Sequence, residues 1–294
     1  MKRMFQGSMV ALVTPFKDGR VDESSLRALV EFHITNGTDV LVPCGTTGES
    51  PTLSHDEHRR VIELTIEAAN RRIEVVAGTG SNSTAEAIDL TRFARQAGAD
   101  GALLVLPYYN KPTQAGLMTH CRAVADAAEL PVILYNIPGR TGINMLPETL
   151  ATLADHPYIV GMKEATGNLE QMTQDIMLCG DRLAFLSGDD TLTLPLLAVG
   201  GRGVISVVAN IVPRDVADLT HAFLGGDWKR AREIHLKLFP LCQAMFYETN
   251  PIPIKTAMAM RGMIGGELRL PLCPMSESNL NRLKAAMRAY GLLS

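Results

Sequence analysis

One lysine stands out because an apolar segment leads directly into it. Lys163 ends a run of isoleucine, valine and methionine at 159–162, whereas most other lysines lie among polar or turn residues. Burial disfavours the charged form of an amine, so it lowers the pKa of a lysine by as much as ~3–5 units. A neutral amine is a nucleophile for a carbonyl carbon, which is the first requirement of Schiff-base catalysis. The alternative is a lysine that extends its ammonium to solvent at a strand end and has no chemical role.

Further polar or small residues follow neighbouring strand-like runs. In chain order they are Thr46, Thr47, Tyr108, Tyr109, Tyr135, Arg140 and Gly188, and the eighth run contributes Ile205. In a barrel of parallel strands, the carboxyl ends of the strands gather at one face. A phenol held near the amine can deliver and remove protons. The glycine-flanked loop 45–48 can offer backbone amides to a carboxylate, and Arg140 can bind a second carboxylate through two hydrogen bonds.

Individual members of this set also have purely structural interpretations. The loop around Thr46 is compatible with a simple turn, and Tyr109 with an aromatic loop anchor. Asp189 and Asp190 are adjacent carboxylates without histidine partners, which favours capping of the next helix over metal binding. Lys255, which follows two prolines at the start of a helical segment, is a weaker candidate nucleophile.

Short apolar segments alternate with helical patterns and must position these residues. The predicted strands are residues 9–13, 39–43, 74–77, 102–106, 132–135, 159–163, 184–187 and 204–207. Helical spacing or capping residues predict helices at 24–35, from 54 to about 70, from 83 onward, and at 115–128, 147–155, 227–246, 252–264 and 277–290. Strands that are apolar on both faces imply a parallel sheet. Eight such units favour a closed (β/α)8 TIM barrel over residues 1–226, with a C-terminal helical extension over 227–294.

Composition excludes several classes of partner. The 294 residues carry a formal net charge of −3, which argues against nucleic acid or an anionic membrane. No apolar run reaches the ~18 residues of a membrane span, and the first residues lack the apolar region of a signal peptide. The five cysteines are scattered without CxxC spacing, which predicts reduced thiols in the cytoplasm and neither disulfides nor structural zinc. We interpret Cys44 as a small buried residue, because no His or Asn partner is identifiable nearby.

Taken together, the motifs resemble the dihydrodipicolinate synthase family, within the superfamily of pyruvate Schiff-base aldolases. The resemblance rests on GTTGE at 45–49, YYNKP at 108–112, YNIPGRTG at 135–142, GMKEA at 161–165, SGDD at 187–190, NPIPIK at 250–255 and RLP at 269–271. It therefore spans nearly the whole chain, and Arg140 makes it more specific for this family than for other aldolases.

The resemblance implies a mechanism and an assembly. Lys163 would form an imine with pyruvate, whose carboxylate would bind at Thr46 and Thr47. Tyr135 would be the central acid and base, and Thr46 would connect it to Tyr109 from a second subunit of a homotetramer built as a dimer of dimers. Arg140 would bind the carboxylate of L-aspartate 4-semialdehyde. Gly188 and Ile205 would line the pocket, and no cofactor would be required.

A second, allosteric site for L-lysine is also implied by the resemblance. Its residues would be Ser50, His55, His58, Asn82, Glu86 and Tyr108. The alternatives are structural, because His55 and His58 share one face of a helix start and Glu86 is the third residue of a capping box. A metal site at the two histidines is a weaker interpretation, since no third ligand is visible.

Rival functions remain open within and outside the superfamily. A pyruvate-dependent lyase, such as N-acetylneuraminate lyase or a keto-deoxy sugar-acid aldolase, would share Lys163 and Tyr135 without needing Arg140. A metal-dependent barrel enzyme would need a His/Asp cluster at the strand ends, and the sequence shows none. A binding protein without catalysis is disfavoured because the lysine, both tyrosines and Thr46 are all present.

Overall fold

Eight parallel strands close into a barrel in the computed structural model, which describes residues 4–294. The strands are β1 (Gly7–Ala11), β2 (Val40–Val42), β3 (Glu74–Gly78), β4 (Gly101–Val105), β5 (Val132–Asn136), β6 (Ile159–Glu164), β7 (Ala184–Ser187) and β8 (Gly203–Ser206). Each strand pairs with its neighbours in the sequence, and β1 closes the barrel by pairing Met9 with Ile205 of β8. A short antiparallel hairpin, Phe16–Lys17 with Arg20–Val21, follows β1.

Helices surround the barrel and extend beyond it. They are α1 (Glu23–Thr35), α2 (His55–Ala69), α3 (Thr84–Ala97), α4 (Gln114–Ala128), α5 (Pro138–Thr141), α6 (Pro147–Leu153), α7 (Leu169–Cys179), α8 (Thr193–Ala198), α9 (Pro213–Leu224), α10 (Trp228–Ala244), α11 (Ile252–Met260) and α12 (Glu277–Tyr290). Side-chain caps fix several helix starts; Ser54, for example, forms a reciprocal capping box with Glu57 at the start of α2. No helix within residues 4–294 is long and apolar enough to cross a membrane.

Alternate strand residues supply two apolar layers. Inside the barrel, Val42, Ile133 and Ile205 pack around Tyr135. On the outer face, residues such as Leu41 and Leu104 pack between the strands and the helices. Burial of one such side chain contributes about 1.5–3 kcal/mol, so both layers stabilise the barrel that holds the strand ends in place.

The predicted fold class is confirmed, and all eight predicted strands are present with ends displaced by at most two residues. The helix predicted at 252–264 is too long, since α11 ends at Met260. The chain turns there because Gly262 adopts a positive φ of 68°, a conformation that glycine accepts without steric cost. The helices predicted to end at 155 and 246 also stop two residues earlier, at Leu153 and Ala244.

The helices after residue 226 pack against the barrel. Lys237 of α10 places its Nζ 2.9 Å from Oδ2 of Asp215 in α9, and the hydroxyl of Tyr290 in α12 donates to the same carboxylate. Residues 250–269 return to the carboxyl ends of the strands, where they contact the loop after β2. The extension therefore contributes directly to the surroundings of the predicted site.

Candidate active site

Lys163 lies near the carboxyl end of β6 with only 5 % of its surface exposed. A bulge in the pairing of β5 with β6 aligns Val132 with Ile159 but Ile133 with Gly161, which brings Lys163 into register with Tyr135. Its Nζ lies 4.1 Å from the centroid of the Tyr135 ring. The pKa of Lys163 is lowered to about 7, chiefly by burial, with the charge of Asp190 opposing the shift and that of Arg140 adding to it. The amine is therefore partly neutral at neutral pH.

Gly188 follows β7 and leaves room for the lysine side chain. A Cβ atom at this position would lie 3.1 Å from Cε of Lys163 and 2.7 Å from Cβ of Ala165. The second distance is too short for two carbon atoms, so a larger residue would have to displace the lysine or the backbone beside it. This close approach explains why glycine occupies the position.

Tyr135 is buried at the end of β5, with 4 % of its surface exposed. Burial raises the pKa of its phenol to about 12, while the charge of Arg140 and a hydrogen bond with Thr46 oppose the rise. The phenol is therefore protonated at neutral pH and can donate a proton. Because Thr46 and Arg140 both stabilise the phenolate, they also make it easier for Tyr135 to release that proton.

The loop after β2 folds as a tight turn around Thr46 and Thr47. The amides of Gly48 and Glu49 donate to the carbonyls of Gly45 and Thr46, each at 3.1 Å. These bonds do not use the amides of the two threonines. The hydroxyl of Thr47 accepts a hydrogen bond from Nδ2 of Asn250 at 3.0 Å. The turn thus presents hydroxyl and amide groups of the kind that bind a carboxylate.

Arg140 lies on the short helix α5 and is joined to the loop after β2 through Asn250. Its Nη2 donates to the Asn250 carbonyl at 3.0 Å, while the Asn250 side chain binds Thr47. One residue of the extension therefore holds both predicted carboxylate-binding side chains. Asn250 is not among the site residues predicted from the sequence, where its only signal is its place at the start of the motif at 250–255.

Two cavities meet at Arg140, which lines both of them. The first has a volume of about 380 Å³ and contains Thr46 together with five residues of the predicted L-lysine site, Ser50, His55, His58, Glu86 and Tyr108. Asn82, the sixth predicted residue, does not line it; its carbonyl accepts a hydrogen bond from Asn110. The second cavity, of about 620 Å³, is lined by Gly188 and Asn250.

The acidic and histidine side chains of the first cavity contact one another. Oε1 of Glu86 lies 2.8 Å from Nε2 of His55, and the same carboxylate accepts a hydrogen bond from Ser81. The Ser83 hydroxyl still accepts from the Glu86 amide, as predicted, but Glu86 does not complete a reciprocal capping box. His58 is buried with Nε2 2.8 Å from the Gly78 carbonyl, and burial lowers its pKa. In residues 4–294, no three His, Cys, Asp or Glu side chains gather as metal ligands.

The two remaining predicted residues have contrasting surroundings. Ile205 is completely buried and packs near Tyr135 inside the barrel. Tyr109 is 88 % exposed, adopts a positive φ of 72°, and lines none of the cavities described above. The Tyr109 side chain, which was predicted to connect with Tyr135 through Thr46, is thus exposed at the surface of its own chain.

Hydrogen bonds and ion pairs distinguish the alternative roles considered for Asp189, Asp190 and Lys255. Asp189 caps the following turn by accepting from the Thr191 amide, and Oδ2 of Asp190 accepts from the amides of Val207 and Val208. Lys255 is fully buried and paired with Glu49. The described cysteines are free thiols, and Cys44 is buried, as predicted.

Comparison with known proteins gives matches over nearly the whole chain. Residues 4–290 match the model of the dihydrodipicolinate synthetase family. The 4-hydroxy-tetrahydrodipicolinate synthase of Geobacter sulfurreducens is 60 % identical, and the match covers 99 % of this chain and all of that protein.

Solved structures agree with this match. The chloride-inhibited dihydrodipicolinate synthase of Acinetobacter baumannii, complexed with pyruvate, is 47 % identical with a TM-score of 0.96, covering 98 % of this chain and 99 % of that one. The enzyme of Cyanidioschyzon merolae with lysine bound is 44 % identical with a TM-score of 0.95, covering 99 % of this chain and 100 % of that one.

Proposed function

This chain belongs to the dihydrodipicolinate synthetase family, and from that premise we propose that Lys163 carries out the chemistry through a Schiff base. The reaction condenses pyruvate with L-aspartate 4-semialdehyde to give 4-hydroxy-tetrahydrodipicolinate, the first committed step of the diaminopimelate route to lysine. The observation that carries the assignment of Lys163 is its burial beside Tyr135, which holds the pKa of the amine near 7.

The first half of the reaction activates pyruvate. The neutral amine of Lys163 attacks the C2 ketone, and the Tyr135 phenol protonates the carbinolamine oxygen, which leaves as water to give the imine. Thr46 stabilises the resulting phenolate through its hydrogen bond. The turn at Thr46 and Thr47 binds the pyruvate carboxylate. Tyr135 then takes a proton from C3, which converts the imine into an enamine.

The second half forms the carbon–carbon bond and closes the ring. The enamine C3 attacks the aldehyde carbon of the second substrate, and Tyr135 returns the proton taken from C3 to the aldehyde oxygen, which becomes the 4-hydroxyl group. The amine of the second substrate then attacks C2 and displaces the amine of Lys163. Arg140, at the junction of the two cavities, binds the carboxylate of that substrate. Gly188 and Ile205 limit the space around the reacting carbons.

Borohydride reduction tests this assignment. With pyruvate present, reduction of the imine leaves a stable pyruvate-derived adduct that intact-mass measurement and peptide mapping locate. We expect the adduct on Lys163, and the buried Lys255 serves as an internal control because it is paired with Glu49. The absence of an adduct on Lys163 would contradict the Schiff-base role. Release of pyruvate from a sugar acid, without condensation of the aldehyde, would instead favour the related lyases.

The exposure of Tyr109 supports a second subunit as part of the site. In a homotetramer built as a dimer of dimers, Tyr109 enters the neighbouring site and connects with Tyr135 through Thr46. A mixture of Lys163→Met and Tyr109→Phe chains tests this, since a mixed dimer restores one site with both native residues. Random assembly yields half mixed dimers, so activity recovers to about one quarter of the native value. No recovery after co-refolding would show that Tyr109 does not act across an interface.

The first cavity supports feedback inhibition by L-lysine. His55 and Glu86 line this cavity together with apolar and hydroxyl groups, and Glu86 offers a carboxylate for an ammonium group. We expect L-lysine to lower the rate or the apparent affinity for pyruvate, and Glu86→Ala to weaken that effect. A rate and affinity unchanged at millimolar L-lysine would contradict it.

A further inference from the structure

Lys255 takes part in no step of the mechanism above, yet burying its charged side chain costs considerable free energy. Its side chain is fully buried, and its Nζ lies 2.5 Å from Oε1 of Glu49, which is fully buried as well. Removing two charges from water costs several kcal/mol per ion, which the attraction between them only partly offsets. A pair of apolar residues could fill such a space at lower cost. The ion pair therefore calls for an explanation other than stability.

Glu49 is the last residue of the turn that contains Thr46 and Thr47. Its other carboxylate oxygen, Oε2, accepts a hydrogen bond from the Arg269 amide at 3.2 Å. Both oxygens are thus held by the C-terminal extension. Glu49 also adopts a positive φ of 54°, a left-handed conformation that is uncommon for residues other than glycine. In this conformation its backbone is bonded to Thr46 and Thr52, and its carboxylate to Lys255 and Arg269.

The position of Lys255 is itself fixed by an aromatic ring. Phe16, in the hairpin after β1, has the Nζ of Lys255 4.3 Å from its ring centroid and the guanidinium carbon of Arg269 4.2 Å from it. Each cation is attracted to the ring. The lysine therefore has little freedom to move, and it connects the extension, the hairpin and the turn at a single point.

A displacement of Glu49 would also displace the residues proposed to bind the substrate. The Glu49 amide donates to the Thr46 carbonyl at 3.1 Å, so the end of the turn is bonded to the residue that contacts Tyr135. Loss of the lysine would have a second effect, because the Glu49 carboxylate would lose its cationic partner at the end of the turn proposed to bind a carboxylate. Both effects weaken binding of an anionic substrate.

We propose that Lys255 is a positioning residue, which acts through Glu49 to fix the turn at Thr46 and Thr47 for the pyruvate carboxylate. The proposal rests on the proposed function for the identity of the substrate. It makes the extension part of the catalytic unit, although no atom of Lys255 touches the reacting groups.

Steady-state kinetics of Lys255→Met test the proposal. We expect the KM for pyruvate to rise by at least ~10-fold, since small displacements of a binding group have effects of this size. The value of kcat at saturating pyruvate should change much less, and borohydride should still attach pyruvate to Lys163. In Glu49→Gln/Lys255→Met the buried anion is gone, so part of the lost affinity should return. This double variant also keeps the test valid if Lys255→Met does not fold.

Lys237→Met is a matched control. Lys237 also belongs to the extension, pairs with a barrel carboxylate at 2.9 Å and lies 4.7 Å from the ring centroid of Tyr290, but it does not contact the turn. The KM for pyruvate and the kcat of Lys237→Met should match the native values. A folded Lys255→Met protein with a native KM for pyruvate, even one with a lower Tm, would overturn the proposal. This outcome can be distinguished from a failure of the proposed function, in which the native protein itself would form no pyruvate adduct on Lys163.

Discussion

The Nζ of Lys163 lies 4.1 Å from the centroid of the Tyr135 ring, on the strand beside it. The aromatic face shields the amine from water and offers no full negative charge, while the phenol at the edge of the same ring retains its proton. One pair of residues therefore supplies both a neutral nucleophile and a proton donor. Two of the following predictions depend on this relationship.

Lys163→Met should abolish turnover and stabilise the fold. The pKa of Lys163 falls from 10.5 in the unfolded chain to about 7 in the fold, so the unfolded chain binds more protons between these values. Native stability therefore rises as the pH increases from about 7 to 10.5, and the full cost of burying the amine is present below pH 7. Calorimetry should show a Tm at least ~2 °C above the native value at pH 6, with a smaller difference at pH 10. A lower Tm at pH 6 would contradict this account.

The pH dependence of pyruvate activation should follow the Lys163 amine. We expect kcat/KM for pyruvate to increase about tenfold per pH unit in acid and to level off above about pH 7, because only the neutral amine attacks. Since the pKa of Tyr135 is raised to about 12, loss of its proton should not reduce the rate below about pH 10. An apparent acidic pKa near 10 would show that the amine is not desolvated.

Gly188→Ala should slow imine formation while leaving the barrel folded. The added carbon would lie 2.7 Å from Cβ of Ala165 and 3.1 Å from Cε of Lys163, so the lysine side chain or the backbone beside it must shift. Borohydride trapping should show at least ~10²-fold slower adduct formation. Gly139→Ala is the matched control, because Gly139 lines the same cavity and its added carbon would meet nothing within 4 Å. Equal effects of the two changes would contradict the steric argument.

A buried carboxyl pair behind the Schiff-base strand should make stability fall with increasing pH. Asp175 of α7 faces Glu164, the residue after Lys163, and burial together with the Glu164 charge raises the pKa of Asp175 to about 8. The unfolded value is 3.8, so the fold binds the extra proton between about pH 4 and 8 and loses stability as the pH rises through that interval. Asp175→Asn keeps the size of the side chain and removes its titration.

The Asn variant should therefore have a higher Tm than the native protein at pH 8, with a smaller difference at pH 5. Asp155→Asn is a suitable control, since the Asp155 side chain is 76 % exposed and pairs with Arg182 at the surface. Thermal unfolding of the three proteins at both pH values provides the measurement. A native protein more stable at pH 8 than Asp175→Asn would contradict the raised pKa of Asp175.

The local sequence determined the strands, the depressed pKa expected of Lys163 and the turn at Thr46. These features follow from the burial of apolar runs and from glycine at fixed positions, which are properties of short segments. The barrel also followed, because eight alternating units leave few other ways to cover a parallel sheet. The residues of the predicted L-lysine site could be named from the family resemblance, but the cavity that five of the six line could not.

Only the tertiary structure decided which distant residues meet. The bulge opposite Val132 sets the register that pairs Lys163 with Tyr135, and register between parallel strands depends on the closure of the whole sheet. The contact between Glu49 and Lys255 joins residues 206 positions apart. No local pattern encodes such a pair, because its partners are chosen by the packing of the extension on the strand ends. For the same reason, Lys255 looked like a rival nucleophile in the sequence and is a buried partner of Glu49 in the fold.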